Sequence, residues 1–202
     1  MVLFVLIVYF ALISTKKAEQ NKVWVGLSKE TAHQLGTPIS SLMAWMDLLE
    51  SSGVDPSLLS DMNKDVNRLS VIAERFSKIG SKPEMELIYV NEVLENATEY
   101  MRRRVSDKVL ITTHLPSDAE GAMVCLSLFE WVIENLCKNA VDAMNGEGRI
   151  DVYMTSEKQQ IYIDIKDTGK GIARKNFKTV FNPGYTTKKR GWGLGLSLVK
   201  RI

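Results

Sequence analysis

Two runs of apolar residues at spacings of three and four, one after the other within the first eighty residues, narrow the folds open to this chain more than any other feature. Between Lys16 and about Ser51 the series Ala32, Leu35, Ile39, Leu42, Met46 and Leu49 draws a narrow seam along one side of a helix, as in a coiled coil. The stretch SSGVDP then reads as a turn, with Asp55 as the N-cap and Pro56 at the first position of a second helix that runs to about Ile79. Leu59, Met62, Val66, Leu69, Ala73 and Phe76 make the seam of that helix. A turn so short makes the two helices an antiparallel hairpin. Two helices bury little between them, so the economical arrangement is a homodimer in which two hairpins form a four-helix bundle.

Within the first helix lies KETAHQLGTPISSL, Lys29 to Leu42, where a histidine, a glycine and a proline interrupt the pattern. At about 100° per residue His33 points nearly opposite the seam, with Glu30 and Thr37 one turn to either side. Pro38 cannot donate to the carbonyl of Gln34 and its ring crowds that turn, so a bend or loosening is expected just past the histidine, with Gly36 softening it further. A solvent-facing histidine beside residues that make its own helix worse calls for a functional reason.

The first fourteen residues, MVLFVLIVYFALIS, carry no charge and are followed by Lys16 and Lys17, as where a membrane helix emerges on the cytoplasmic side. A span needs roughly 20 residues, so residues 1–15 are expected to be the end of a transmembrane helix. The chain as a whole is 25% charged, and the rest of it, with Cys125 and Cys137 in apolar surroundings without CxxC spacing, reads as a cytoplasmic body with reduced core cysteines. A formal net charge of only +2, spread along the chain, argues against nucleic acid as a partner.

Pro83, in SKPEMEL, marks a linker, and beyond it short strands and helices alternate. Strands are expected near 87–90, 109–114, 149–155 and 161–166, and helices at 91–104 and 128–145. The pattern predicts a two-layer α/β sandwich, and the chain as a whole an α plus α/β protein.

Three clusters in this half carry polar or glycine-rich chemistry. In ENLCKNAVDAM, Asn135, Asn139 and Asp142 share one helix face, and amide side chains one turn apart can engage Mg²⁺ and phosphate oxygens, since hard cations take oxygen ligands. In DTGKGI, Asp167 ends a strand where it can accept from an exocyclic amine, and Gly169 and Gly171 let backbone approach a flat ring. In NPGYTTKKRGWGLGLSLVK a polar basic loop with Lys188 leads into Gly191, Gly193 and Gly195. Its G-x-G-x-G spacing is neither a dinucleotide fingerprint nor a Walker loop.

Taken in order, these segments resemble the sensor histidine kinases of two-component systems. AHQLGTP resembles the phosphoacceptor box, ENLCKNAVDA the N box, DTGKGI the first glycine box, NFKTVFNPGYTTKK the F box with its lid, and GWGLGLSLVKRI the second glycine box. The resemblance implies a dimerisation and histidine-phosphotransfer hairpin over 16–80 and an ATP-binding domain of the gyrase type over 84–202, with further strands expected beyond Ile202. It implies His33 as the phosphoacceptor, Asn139 as the Mg²⁺ ligand and Asn135 assisting at the phosphates. Asp167 would take the adenine amino group in a pocket shaped by Gly169 and Gly171. Gly191, Gly193 and Gly195 would line the phosphate side under a lid packed by Phe177 and Phe181, with Lys188 as a phosphate contact. The partners implied are ATP with Mg²⁺, the receiver domain of a response regulator, a second copy of the chain and, through the N-terminal helix, the inner membrane of a bacterium.

One position departs from the family pattern. The residue after the phosphoacceptor is usually acidic and here is Gln34, which cannot act as a base. Either Glu30 substitutes, or Gln34 orients the ring while solvent takes the proton. Thr37, four residues after His33, matches the position that supports phosphatase activity in the family. A protein-serine kinase on the same ATP fold and a nucleotide-binding membrane scaffold without phosphotransfer are the alternatives. His114 is expected to be structural, and Arg102 to Arg104 a solvated helix end whose charge complements the helix dipole.

Overall fold

The computed structural model describes residues 2–118, 120–188 and 193–202, which fall into two compact units, Met1–Pro83 and Glu84–Ile202.

The first unit is a pair of helices, α1 (Val2–Ser51) and α2 (Pro56–Gly80). The turn between them is fixed by local hydrogen bonds. Gly53, at φ +76°, donates to the Glu50 carbonyl at 3.2 Å, and Val54 donates to that of Leu49 at 3.3 Å, the paired bonds of a Schellman motif. Asp55 then caps α2, its Oδ1 accepting the Ser57 N–H at 2.8 Å, which holds its carboxyl below the usual carboxylate range. α1 runs unbroken through Pro38, so the expected loosening does not interrupt the helix. Thr37 Oγ1 donates weakly to the His33 carbonyl at 3.5 Å, and Ser41 Oγ to that of Thr37 at 3.2 Å.

Ile39, Met46, Val66 and Ala73 are buried between the helices, with Leu35 against them. Leu42, Met62 and Leu69 from the same series are 41%, 43% and 42% exposed, because the apolar stripe is wider than one partner helix can cover. No helix among the described residues is long and apolar enough to cross a membrane.

The second unit is an α/β sandwich. In chain order it has β1 (Glu86–Tyr89), α3 (Val90–Arg102), β2 (Val109–His114), β3 (Gly121–Val124), α4 (Leu126–Ala143), β4 (Gly148–Glu157) and β5 (Gln160–Asp167), then two 3₁₀ turns and the short helix α5 (Gly195–Val199). One sheet has the order β2-β4-β5, with β2 parallel to β4 and β5 antiparallel to it; β1 and β3 pair antiparallel in a separate ribbon. Ile150, Val152 and Met154 alternate along β4 toward α3 and α4, where Leu94, Met101, Ile133, Cys137 and Ala140 complete the core. Burial there pushes the Cys137 thiol up to about 11.

Two features depart from expectation. β3 is not among the strands expected from the sequence, since four residues carry too short an alternation to be seen and it is pairing with β1, from Glu86↔Val124 to Tyr89↔Gly121, that makes them a strand. Arg102 is a clasp rather than a solvated helix end: its Nε donates to the Ile111 carbonyl at 3.0 Å and its Nη1 pairs with Glu95 and Glu99 at 3.1 and 3.0 Å, tying α3 to β2. His114 stacks on Tyr153 with ring centroids 4.4 Å apart and lies 3.3 Å from Asp151.

Candidate functional site

α4 supplies the first wall of the site. Its residues Asn135, Asn139 and Asp142, spaced by four and three, fall on one face, as helical geometry requires. Asn135 Nδ2 donates to the Trp131 carbonyl at 2.9 Å, which turns its Oδ1 toward Gly195, where a Cβ would sit 3.3 Å away. Asn139 Oδ1 accepts from Lys188 Nζ at 2.9 Å, and the Asp142 carboxylate pairs with the same ammonium.

The C-terminal end of α4 meets the glycine loop after β5. Lys170 donates its backbone N–H to the Ala143 carbonyl at 3.2 Å, and Gly169 packs so closely that a Cβ there would lie 2.8 Å from the carbonyl carbon and Cβ of Ala143. This glycine is required by proximity rather than by its backbone angles. Its N–H also donates to Asp167 Oδ1 at 2.8 Å, fixing the carboxylate's rotation at the end of β5 and leaving Oδ2 as the oxygen placed to accept an exocyclic amine. Thr168, passed over in the sequence, ties the pieces together: its hydroxyl accepts the Arg149 N–H at 3.0 Å and donates to Met144 Sδ at 3.3 Å.

The third wall is the loop after the 3₁₀ turns Arg174–Asn176 and Thr179–Phe181. Gly193, at φ +66°, accepts the Gly184 N–H at 3.1 Å, and a Cβ on it would come within 2.5 Å of the Gly184 backbone. That bond pinches the loop at its base, and Lys188 projects from it onto α4. Gly171 borders the Asp167 side at φ +67°, while Gly191 lies outside the described residues. Phe177 and Phe181, expected to pack the loop, are 54% and 37% exposed; Val180 between them is the buried residue. A 3₁₀ turn directs only one side chain in three inward, and Val180 holds that position.

So Asn135, Asn139, Asp167, Gly169, Lys188 and Gly195 come together, and with them Asp142, the third residue of the polar face of α4. In the other unit His33, Glu30, Gln34 and Thr37 are all exposed on α1 away from the buried seam, and Gln34 Nε2 donates to Glu30 Oε1 at 2.6 Å.

Residues 126–202 match the family model described as the histidine kinase-, DNA gyrase B- and HSP90-like ATPase. Among curated proteins the chain is 26% identical over its whole length to sporulation kinase D of Bacillus subtilis, covering 42% of that protein. It is 27% identical over 85% of its length to the signal transduction histidine-protein kinase AtoS of Escherichia coli, covering 29% of it. It is also 24% identical over 95% of its length to the sensor histidine kinase ZraS of Salmonella typhimurium, covering 43% of it. The chain thus spans less than half the length of these relatives. Among solved structures, full-length ShkA in complex with AMPPNP matches 87% of the chain and 40% of its own, with a TM-score of 0.64 at 18% identity. The mycobacterial sensor histidine kinase MprB matches 58% of the chain and 76% of its own, with a TM-score of 0.52 at 24% identity. At these identities the structural likeness establishes the fold.

Proposed function

We propose, for a chain related along its length to sensor histidine kinases and ending in an ATPase domain of the gyrase type, that it transfers the γ-phosphoryl group of ATP to His33 and from there to an aspartate on the receiver domain of a response regulator. The observation that carries this reading is the convergence of Asn139, Asp142 and Lys188 on the C-terminal end of α4 with Asp167 and Gly169, which pack against that same end at Ala143.

The residues fit Mg²⁺. Asn139 Oδ1 and the Asp142 carboxylate already turn together onto one cation, the Lys188 ammonium, and both are the oxygen donors a hard divalent ion takes. Bound there, Mg²⁺ would neutralise phosphate charge. Asp167 would accept from the adenine amino group while Gly169 keeps the pocket floor flat, and Asn135 would face the phosphates beside Gly195. Phosphoryl transfer needs positioning and charge stabilisation more than covalent help from the protein, which these polar groups supply.

On the hairpin, the exposed His33 is the nucleophile: a ring nitrogen attacks the γ-phosphorus, the bond to the β,γ-bridging oxygen breaks and ADP leaves. Thr37, one turn along, supports a second activity, removal of phosphate from the regulator. The uncharged run before Lys16 and Lys17 supports a membrane-proximal N-terminal end with the kinase body on the cytoplasmic side.

The exposed apolar side chains support a homodimer. At about 100° per residue, Leu42 and Trp45 on α1 and Leu58, Met62, Leu69 and Ile72 on α2 fall on the same side of the hairpin, away from His33.

The test is autophosphorylation with γ-labelled ATP and Mg²⁺, comparing wild type with His33→Gln. Acid-labile, alkali-stable label absent from the variant is expected. Absence of label from wild type despite measurable nucleotide binding would overturn the reading.

A further inference from the structure

Lys188 does something in this structure that a phosphate contact has no need to do. It reaches back from the loop to α4, 46 residues earlier in the chain, and places its ammonium on Asp142 and on Asn139 Oδ1 together. Asn139 and Asp142 are the two side chains whose oxygens were read above as the hard-cation donors. We infer that Lys188 is a built-in counter-ion for that donor pair and a latch for the loop: its ammonium and a divalent cation compete for the same two oxygens, so the loop stays fastened to α4 until a nucleotide arrives with its metal. This rests on the ATP reading of the site and adds a regulatory step to it.

Three observations bear on the inference independently. Asn139 and Asp142 are one turn apart, which lets a single small cation touch both; a guanidinium fork would not be needed and a lysine suffices. Within the described part of the loop, 184–188, the Gly184 N–H donates to the Gly193 carbonyl and the Lys188 N–H to Thr186 Oγ1 at 3.1 Å, and the Lys188 ammonium ties that segment to the helix. The pair is also solvent-accessible, with side chains 42% and 55% exposed, so an entering ion can reach the carboxylate without unfolding anything. Once released, the same ammonium is free to move onto a phosphate. The carboxylate keeps a cationic partner throughout the exchange and the pair is half-exposed, so a latch of this kind opens at little cost.

The latch is tested on the full chain in two ways. Mn²⁺ is titrated without nucleotide and free ion read by electron paramagnetic resonance. Removing the competing ammonium in Lys188→Met is expected to tighten Mn²⁺ binding, up to about fivefold for a half-exposed pair, and equal affinity in the two proteins would overturn the inference. Hydrogen exchange at the amides of 185–188 is then compared in wild type and Asp142→Asn. Faster exchange in the variant without nucleotide is expected, and unchanged exchange would overturn the latch. Binding of a fluorescent ATP analogue to wild type is followed in the same series. Its absence would strike at the ATP reading, whereas normal analogue binding beside unchanged exchange in Asp142→Asn would strike at the latch alone.

Discussion

Gln34 donates its side-chain amide to Glu30 Oε1 across 2.6 Å, one turn back on the exposed side of α1 that also carries His33. In the proposed phosphotransfer Glu30 would take the part of the acidic group that the sensor kinases usually place directly after the phosphoacceptor, held by the glutamine that stands there in this chain. Glu30→Gln is expected to slow autophosphorylation about a hundredfold, the usual scale for loss of a general base. Gln34→Glu added to that variant should recover most of the rate by restoring a carboxylate beside the ring. A Glu30→Gln rate within twofold of wild type would assign the proton to solvent.

Leu69 sits on the uncovered apolar side of α2, 42% exposed, in line with Met62 and Ile72. Leu69→Glu places a charge in the proposed bundle twice, once per copy. Sedimentation equilibrium should show wild type as a dimer and the variant as a monomer, since each buried leucine contributes about 2 kcal/mol. The fold of the isolated hairpin should survive, because Val66 and Ala73, which face α1, are untouched.

Gly169→Ala would force a Cβ to within 2.8 Å of the Ala143 backbone and 2.7 Å of Asp167 Oδ1. The end of α4 cannot yield as a flexible side chain does, so a loss of about 1–3 kcal/mol is expected. Thermal unfolding measures that loss. Nucleotide binding should fall further than the stability change accounts for, because the contact also rotates Asp167.

The Glu95 carboxylate accepts from Thr113 Oγ1 at 2.7 Å and pairs with Arg102, and these partners hold it below the usual glutamate range. A carboxyl whose folded value is depressed stabilises fully above its unfolded value, and that contribution is lost as pH falls through the folded one. Glu95→Gln is therefore expected to lower the unfolding midpoint near neutral pH, by the equivalent of about 0.5 kcal/mol for a half-exposed pair. The difference should shrink toward about pH 3. An equal difference at both ends would mean that the charge is not what Arg102 and Thr113 hold.

Cys137, fully buried in the core with its thiol pushed up to about 11, should resist aromatic disulfide reagents in the native protein and react at once in denaturant. Reaction of Cys137 at native rates like those of a free thiol would show that α4 opens locally.

Much of this site was legible in the sequence because its signals are local. The spacing of Asn135, Asn139 and Asp142 places them on one helix face whatever surrounds it, and Asp167 ends a strand whose alternation is plain from Ile161, Ile163 and Ile165. The hairpin is as legible, since Gly53, Asp55 and Pro56 form caps from residues within a few positions of one another. The helix continues through Pro38, since one lost hydrogen bond is too little to break a helix whose neighbouring turns remain packed on α2.

The tertiary structure alone decided the rest, and in each case the deciding contact joins distant parts of the chain. β3 is a strand because β1 lies beside it, and Arg102 is a clasp because β2 offers it the Ile111 carbonyl. Gly169 must be glycine because Ala143 lies against it, and Lys188 meets Asp142 only when the loop folds over α4. Periodicity and capping depend on a few neighbouring residues, so a sequence states them openly. The meeting of side chains far apart in the chain depends on how the layers close, and no short-range pattern records that.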